Sequence, residues 1–400
     1  MTDLSQKSFQ TRAVHAGERV RSADYVPVST PIHASVGYLY ESMDDLDAVF
    51  AGTKDGYVYS RYVTPTTAAF EAAVASLEGA EAAHAYSSGM AALHAALLAA
   101  GARAGASVIA ALDVYGATFN LVNGLLSSLG VNVRTVDAGN LAEVESALAK
   151  TQPVLLLVET ISNPLLKVAD VPWLAGLAHR HGAALLVDNT FASPYLFNPL
   201  RHGADYVIHS VTKYLAGHGD VLAGVVATSA ENKARLFELN KLVGSVLGPF
   251  EAWLALRGLK TLPLRMRQQC ENASHVALWL TSHPRVKQVH YPGLPGHSQH
   301  NLAQQIFEGK GCGAVLSFEL NDADKATVYR FMESLSLCLP ATSLGDIYSL
   351  VLHTATSSHR GLTAEERLRI GIPDSLVRLS TGIESVEDIL IDLEAALAAI

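Results

Sequence analysis

From about residue 66 onward, short runs of consecutive apolar residues alternate with longer stretches of helical spacing. Residues 107–111, 154–158, 184–187 and 206–208 have the length of buried strands. They are apolar at successive positions, not at every second one, so both faces of each strand need cover. Residues 141–150 and 171–181 carry the spacing and length of helices that supply it. The pattern predicts an α/β fold with a mostly parallel sheet. Such sheets bind ligands beyond the carboxyl ends of their strands. The polar residues that follow each apolar run are therefore the first candidates for a site.

The stretch Gly258-Leu259-Lys260-Thr261-Leu262 closes this region. A smaller α+β unit follows, with a strand over 314–320, a helix over 326–334 and a last helix from Val386. Residues 1–60 show neither period and hold turn residues such as Pro27 and Pro31. They predict an irregular arm that lies on another surface, such as a neighbouring subunit. The expected division is an arm at 1–62, a central domain at 63–260 and a C-terminal domain at 261–400, which a chain of 400 residues accommodates.

Charge and composition remove several classes. A formal charge of −9 without any basic run argues against a nucleic-acid face. Cys270, Cys312 and Cys338 are far apart with no Cys-x-x-Cys pair, which fits a reducing cytoplasm. Met1-Thr2-Asp3-Leu4-Ser5-Gln6-Lys7 lacks the apolar core of a signal peptide. No uninterrupted apolar stretch reaches the length of a membrane span. The expectation is a soluble, cytoplasmic protein.

Ser87-Ser88-Gly89-Met90-Ala91-Ala92 follows a strand-like run and opens an Ala-rich helix. The first N–H groups of a helix lack intrahelical partners and face anions, and Gly89 admits a ligand close to the backbone. A phosphate fits there, although an N-cap by Ser87 or Ser88 accounts for the same residues. Asp188 closes the run 184–187. An aspartate in that place is most often a turn or cap residue, but beneath a pyridine ring it keeps the ring nitrogen protonated. The next run leads into His209-Ser210-Val211-Thr212-Lys213-Tyr214-Leu215. Alternation puts Ser210 and Thr212 on one side of an extended segment, where both hydroxyls can meet phosphate. Lys213 stands between these hydroxyls and the turn Gly217-His218-Gly219-Asp220. A Schiff-base lysine must be positioned and partly desolvated, and Lys213 is the best placed for it. The helix start, Asp188 and Lys213 form a three-part constellation that points to pyridoxal 5′-phosphate (PLP) on Lys213.

These segments resemble the Cys/Met-metabolism PLP-dependent enzymes, among them cystathionine γ-synthase, cystathionine γ-lyase, methionine γ-lyase and O-acetylhomoserine sulfhydrylase. The likeness runs from Thr11-Arg12-Ala13-Val14-His15 to Val377-Arg378-Leu379-Ser380-Thr381-Gly382. Its most specific part is the stretch from Ser210 to Asp220. The resemblance implies an aspartate aminotransferase-like, fold type I architecture, PLP as cofactor and an amino acid as substrate. Tyr59-Ser60-Arg61 with Pro65-Thr66 is similar to a family motif whose Tyr and Arg reach the cofactor phosphate of the adjacent subunit; Thr64 stands where the family usually has Asn. An arginine suits that task through paired, charged hydrogen bonds. The arm then implies at least a dimer, and the family a homotetramer of two such dimers. By the same resemblance Tyr115 stacks on the ring and moves protons, and Asn163 hydrogen-bonds the phenolic oxygen. Arg378, with Ser343 beside it, holds the substrate carboxylate. Without the resemblance Tyr115 reads as a half-buried aromatic at a helix start, Asn163 as a turn residue and Arg378 as a surface charge.

The chemistry this implies is γ-elimination from a sulfur amino acid to 2-oxobutanoate, ammonia and a thiol, or γ-replacement through the same intermediate. The motifs leave cystathionine γ-lyase, cystathionine γ-synthase and O-acetylhomoserine sulfhydrylase open. Cystathionine lyases resemble one another in charged residues at the substrate's far end. The matching positions here are Val58, Asn120 and Tyr348, none charged, which favours methionine or homocysteine. Methionine γ-lyases typically carry Cys where Ala117 stands and Asp where Leu242 stands, whereas Lys241 matches. From other classes, a non-catalytic PLP-binding protein shares the fold, and an ordinary aminotransferase releases no thiol. His290, His297 and His300 cluster in a Pro/Gly loop without zinc-site spacing, so no metal is expected. Gly217, Gly219 and Gly224 follow the lysine and do not form a dinucleotide fingerprint.

Overall fold

The computed structural model describes residues 4–17 and 26–400. Part of the arm, residues 18–25, and Met1-Thr2-Asp3 therefore lie outside the described residues. The larger sheet holds β1 (Ala82–Tyr86), β2 (Ser107–Ala111), β3 (Asn132–Val136), β4 (Leu155–Glu159), β5 (Ala184–Asp188), β6 (Tyr206–Ser210) and β7 (Gly224–Thr228). Their order across the sheet is β1-β7-β6-β5-β4-β2-β3, and only β7 runs against the rest. Every residue of β4 is buried, as an apolar run at successive positions requires. Leu156 and Val158 enter one core, together with the helices Pro65–Glu78 and Val171–Arg180. Leu155 and Leu157 enter a second core on the opposite face, against the helix Gly89–Ala99.

A second sheet holds β8 (Val286–His290), β9 (Val315–Leu320), β10 (Leu339–Pro340), β11 (Leu350–His353) and β12 (Leu376–Ser380). Their order is β10-β11-β12-β9-β8, antiparallel except for β10 beside β11. The helix Leu262–Thr281 packs on β8 and β9 and on the last helix, Val386–Ala398. Among the described residues no helix is long and apolar enough to cross a membrane.

Two expectations need correction. The arm is not wholly irregular, since Phe9–His15 and Met43–Phe50 are helices. Ser8 and Ser42 cap them by accepting hydrogen bonds from the Thr11 and Asp45 N–H groups, a local signal that the turn residues around them hide. Nor do Ser210 and Thr212 alternate along a strand. The strand ends at Ser210, and the chain turns at once, with the Lys213 N–H donating to the Ser210 carbonyl at 3.1 Å.

A buried ionic cluster joins the helix Pro65–Glu78 to β1. Glu71 Oε1 accepts the Ala85 N–H at 2.9 Å and lies 3.0 Å from His84 Nδ1, while Lys233 Nζ donates to Oε2 at 2.9 Å. Burial alone raises the pKa of Glu71, but His84, Lys233 and the Ala85 N–H outweigh it and hold the group at about 2. A carboxylate lowered on folding stabilises the fold above its unfolded pKa near 4.5, and that contribution fades as pH falls toward 2. We expect Glu71→Ala to cost about 1–3 kcal/mol at neutral pH, because it leaves the buried Ala85 N–H without its acceptor and removes the carboxylate beside Lys233 and His84. Urea unfolding of both proteins checks this, and the gap between them should narrow progressively below about pH 4.

Candidate active site

β1, β2, β4, β5 and β6 all end on one edge of the larger sheet, and a cavity of about 440 Å³ lies there. Ser88, Gly89 and Met90 line it just beyond β1, Tyr115 beyond β2 and Asn163 beyond β4. Asp188 lines it from the end of β5, and Ser210, Thr212 and Lys213 from the end of β6 and its turn. The second sheet closes the cavity with Arg378 on β12.

Ser88 is the N-cap that its stretch allowed, and it also lines the cavity. Its hydroxyl caps the helix Gly89–Ala99 by accepting the Ala91 N–H at 3.1 Å. The helix start presses on β6. A Cβ added at Gly89 would lie 2.9 Å from the Ser210 Cβ and 3.1 Å from its Cα, so only glycine allows this approach. Gly224 plays the same part on the other side, since its Cβ would run into the Ser88 carbonyl. The Ser210 N–H donates to Thr190 Oγ1 at 2.9 Å, and the Thr190 N–H donates to Asp188 Oδ1 at 2.9 Å.

The Lys213 amine donates to Ser343 Oγ at 2.9 Å. Burial, reinforced by the nearby Arg378 charge and partly opposed by Asp346, draws the Lys213 amine down to about 8. The turn that carries it is fixed from the helix Leu262–Thr281. Buried Arg265 donates to the Tyr214 carbonyl at 2.8 Å and to the Gly258 carbonyl at 2.9 Å. Arg378 is 4 % exposed, so it is no surface charge. It donates through Nη1 to Asn163 Oδ1 and through Nη2 to the Ser343 carbonyl, both at 3.0 Å. Burial lowers its pKa to about 10, which leaves it charged at neutral pH.

The wall also holds groups prepared for a ligand. Arg378 Nε and Glu159 Oε2 are buried without a partner in the protein. Asp188 is half-buried at the end of its strand, and desolvation raises its pKa, so it favours a cationic hydrogen-bond donor. A helix start, hydroxyls, a partly desolvated lysine and a half-buried carboxylate fit a pyridine ring with an anionic tail.

The model of the Cys/Met metabolism PLP-dependent enzyme family matches residues 10–398. The chain belongs to this family. Its cofactor is pyridoxal 5′-phosphate. Over 393 residues it is 42 % identical to an L-methionine γ-lyase of Fusobacterium nucleatum subsp. polymorphum, covering 98 % of each chain. It is 39 % identical over 399 residues to an O-succinylhomoserine sulfhydrylase of Pseudomonas aeruginosa, covering 100 % of this chain and 97 % of the other. A crystal structure of cystathionine γ-synthase from Xanthomonas oryzae, bound to aminoacrylate and cysteine, superposes with a TM-score of 0.91 at 40 % identity, covering 98 % of each chain.

Not every expected site residue of this family member reaches its cavity. Val58, Tyr59, Arg61, Asn120 and Tyr348 do not line it, nor do Ala117, Lys241 and Leu242. Ser343 meets the site through Lys213. Arg61 lies at the surface over the Tyr59 ring at 5.0 Å, its Nε donating to the Lys241 carbonyl at 3.1 Å. Conversely Glu159, Phe191, Thr342, Ser357 and Ser358 line the cavity unanticipated. Glu159 ends its strand on a carboxylate as Asp188 does, a pattern that by itself does not tell a cavity from solvent. Ser357 and Ser358 lie in a loop with no such mark.

Because Lys213 is neutral only above about 8, cofactor capture by the apoprotein should speed up with pH and level off beyond that value. Stopped-flow growth of the visible band after mixing with PLP measures it. A midpoint near that of an ordinary lysine, about 10.4, would contradict the desolvated amine.

Proposed function

We propose that this enzyme catalyses γ-elimination on methionine or homocysteine, releasing 2-oxobutanoate, ammonia and a thiol. The observation that carries the reading is the distribution of charge around the cavity. Among its described lining residues only Glu159, Asp188, Lys213 and Arg378 are ionic, and the remaining wall is apolar or neutral, with Leu93, Ile161, Phe191, Leu222 and Thr342. Asp188, Lys213 and Arg378 each have a task toward the cofactor or the substrate's amino-acid end, and Glu159 lies beside Asp188 with its Oε1 taken by the Tyr115 N–H. None remains for a second, distal amino-acid group, whose burial unpaired would be costly. A short thioether or thiol suits such a wall.

In this reading Ser88, Gly89, Met90, Ser210 and Thr212 hold the phosphate, Asp188 the ring nitrogen and Asn163 the phenolic oxygen, while Tyr115 stacks on the ring. When bound, PLP withdraws electrons from the substrate's Cα and makes its proton acidic. Arg378 orients the substrate by its carboxylate, with Ser343 adjoining. The Lys213 amine would take the proton from Cα, pass it on to the cofactor's C4′ position and, neutral again, take one from Cβ. Tyr115 protonates the departing sulfur as general acid.

γ-Replacement by sulfide or a thiol needs the same residues, and the sulfhydrylase relative keeps that reading alongside. A panel of methionine, homocysteine, cystathionine, and O-acetylhomoserine with sulfide separates them, with 2-oxobutanoate and thiol followed together. We expect 2-oxobutanoate from methionine or homocysteine. Turnover confined to the sulfide reaction would overturn the lyase reading.

The oligomer is part of the proposal. The phosphate end of the cavity has no arginine of its own, whereas Arg61 faces outward. Along the same arm Val28, Leu39 and Met43 expose 78 %, 102 % and 73 % of their surface, an apolar string in want of cover. Tyr59 and Arg61, with Val58 beside them, complete the site of an adjacent subunit in a dimer, and two dimers form a tetramer. The arm at 1–62, the PLP-binding domain at 63–260 and the C-terminal domain at 261–400 are the units of this assembly. Lys213→Ala and Arg61→Ala proteins, each inactive alone, should recover about a quarter of wild-type activity once their subunits exchange, since half of the dimers then hold one intact site. No gain on mixing would exclude the shared site.

A further inference from the structure

Glu159 has no part in the chemistry above, yet it is the fourth ionic group of the cavity wall. It ends β4 directly beside Asp188, its register partner on β5. The side chain is 8 % exposed. Its Oε1 accepts the Tyr115 N–H at 2.6 Å. The Asn163 N–H is directed at the same carboxyl. Tyr115 begins the short helix Gly116–Asn120 and supplies it with no side-chain cap, so the position of its ring depends on this hydrogen bond from another strand. Asn163 in turn accepts from Arg378 at 3.0 Å. One carboxyl thus joins two loops and, through Asn163, the arginine on the second sheet.

We propose that Glu159 is a positioning residue, tying Tyr115 and Asn163 to the end of β4 so that both meet the cofactor in register with Asp188. The inference rests on the reading in which Tyr115 and Asn163 face the ring. A structural cap needs only one oxygen. Here the second, Oε2, is buried in the cavity wall without a partner in the protein. The groups around the carboxyl are Asp188 and Asp113, with the Tyr115 N–H donating to Oε1 and the Asn163 N–H nearby. Burial, then the charges of Asp188 and Asp113, push Glu159 well above the usual carboxylate range. Asp188 is also raised by burial, but it accepts from Thr190 and faces His209, so the proton resides on Glu159. Glu159 acts as a neutral acceptor and leaves Asp188 as the charge beneath the ring. A glutamine can do the same work.

The test compares holoenzymes carrying Glu159→Gln, Glu159→Ala and Glu159→Leu, the last filling the volume should the alanine variant fail to fold. The cofactor's visible band, titrated without substrate between about pH 6 and about pH 10, reports proton affinity beside the ring. Glu159→Gln should keep the wild-type midpoint and keep kcat within about threefold. Glu159→Ala or Glu159→Leu should move the midpoint by about half a unit or more and lower kcat on the order of 30-fold, with KM changed less than about threefold. An unmoved midpoint in the alanine or leucine variant, even with a lowered Tm, would reduce Glu159 to a structural cap and overturn the proposal. So would a glutamine variant displaced as far as alanine. If the wild type releases no 2-oxobutanoate from any amino acid, the γ-lyase reading fails while the substrate-free titration still decides Glu159.

Discussion

A parallel strand buried on both faces can carry a charged side chain only where it leaves the sheet. Six strands of the larger sheet leave it on the same edge, and polar residues that end or follow five of them are gathered into one cavity. Glu159 and Asp188 sit there because their strands end in register. Lys213 sits there because β6 stops at Ser210 and turns. The helix Gly89–Ala99 starts against that edge because Gly89 and Gly224 remove the side chains that would hold it off. The catalytic centre is thus a consequence of strand direction before it is a collection of residues.

Crowding ionic groups into a poorly solvated space couples their charges. Arg378 stays charged and makes it easier for the Lys213 amine to lose its proton. Burial raises both Asp188 and Glu159, and the Asp188 charge raises Glu159 further, so the two neighbouring carboxyls resist ionising together. The base and the acceptor are tuned by their neighbours, which come from different strands and different sheets.

The phosphate end is where a single chain falls short. It offers hydroxyls and a helix start, while Arg61 lies on an arm whose apolar residues face outward. In the proposed dimer one contact would both cover the arm and bring Arg61 to the phosphate end. This accounts for an arm whose helix Met43–Phe50 has no buried residue of its own.

Much of this was legible in the sequence. Runs of successive apolar residues specified buried parallel strands, since period and length depend on the chain alone. The helix start at Ser88-Gly89, the strand-end Asp188 and Lys213 before its Gly-rich turn marked the cofactor, and the family likeness added Tyr115, Asn163 and Arg378. The helices of the arm were hidden because their capping serines lie among turn residues. The turn after Ser210 was hidden because alternation continues on paper when the strand has ended. Glu159, Ser357 and Ser358 were missed for a deeper reason. A strand-end carboxylate or a loop serine has the same local pattern whether it faces solvent or a cavity. Sequence alone therefore determined the buried parallel strands, their covering helices and the candidates for the cofactor chemistry. Only the tertiary structure decided which side chains share the cavity and which charges they keep, because both depend on contacts between residues far apart in the chain.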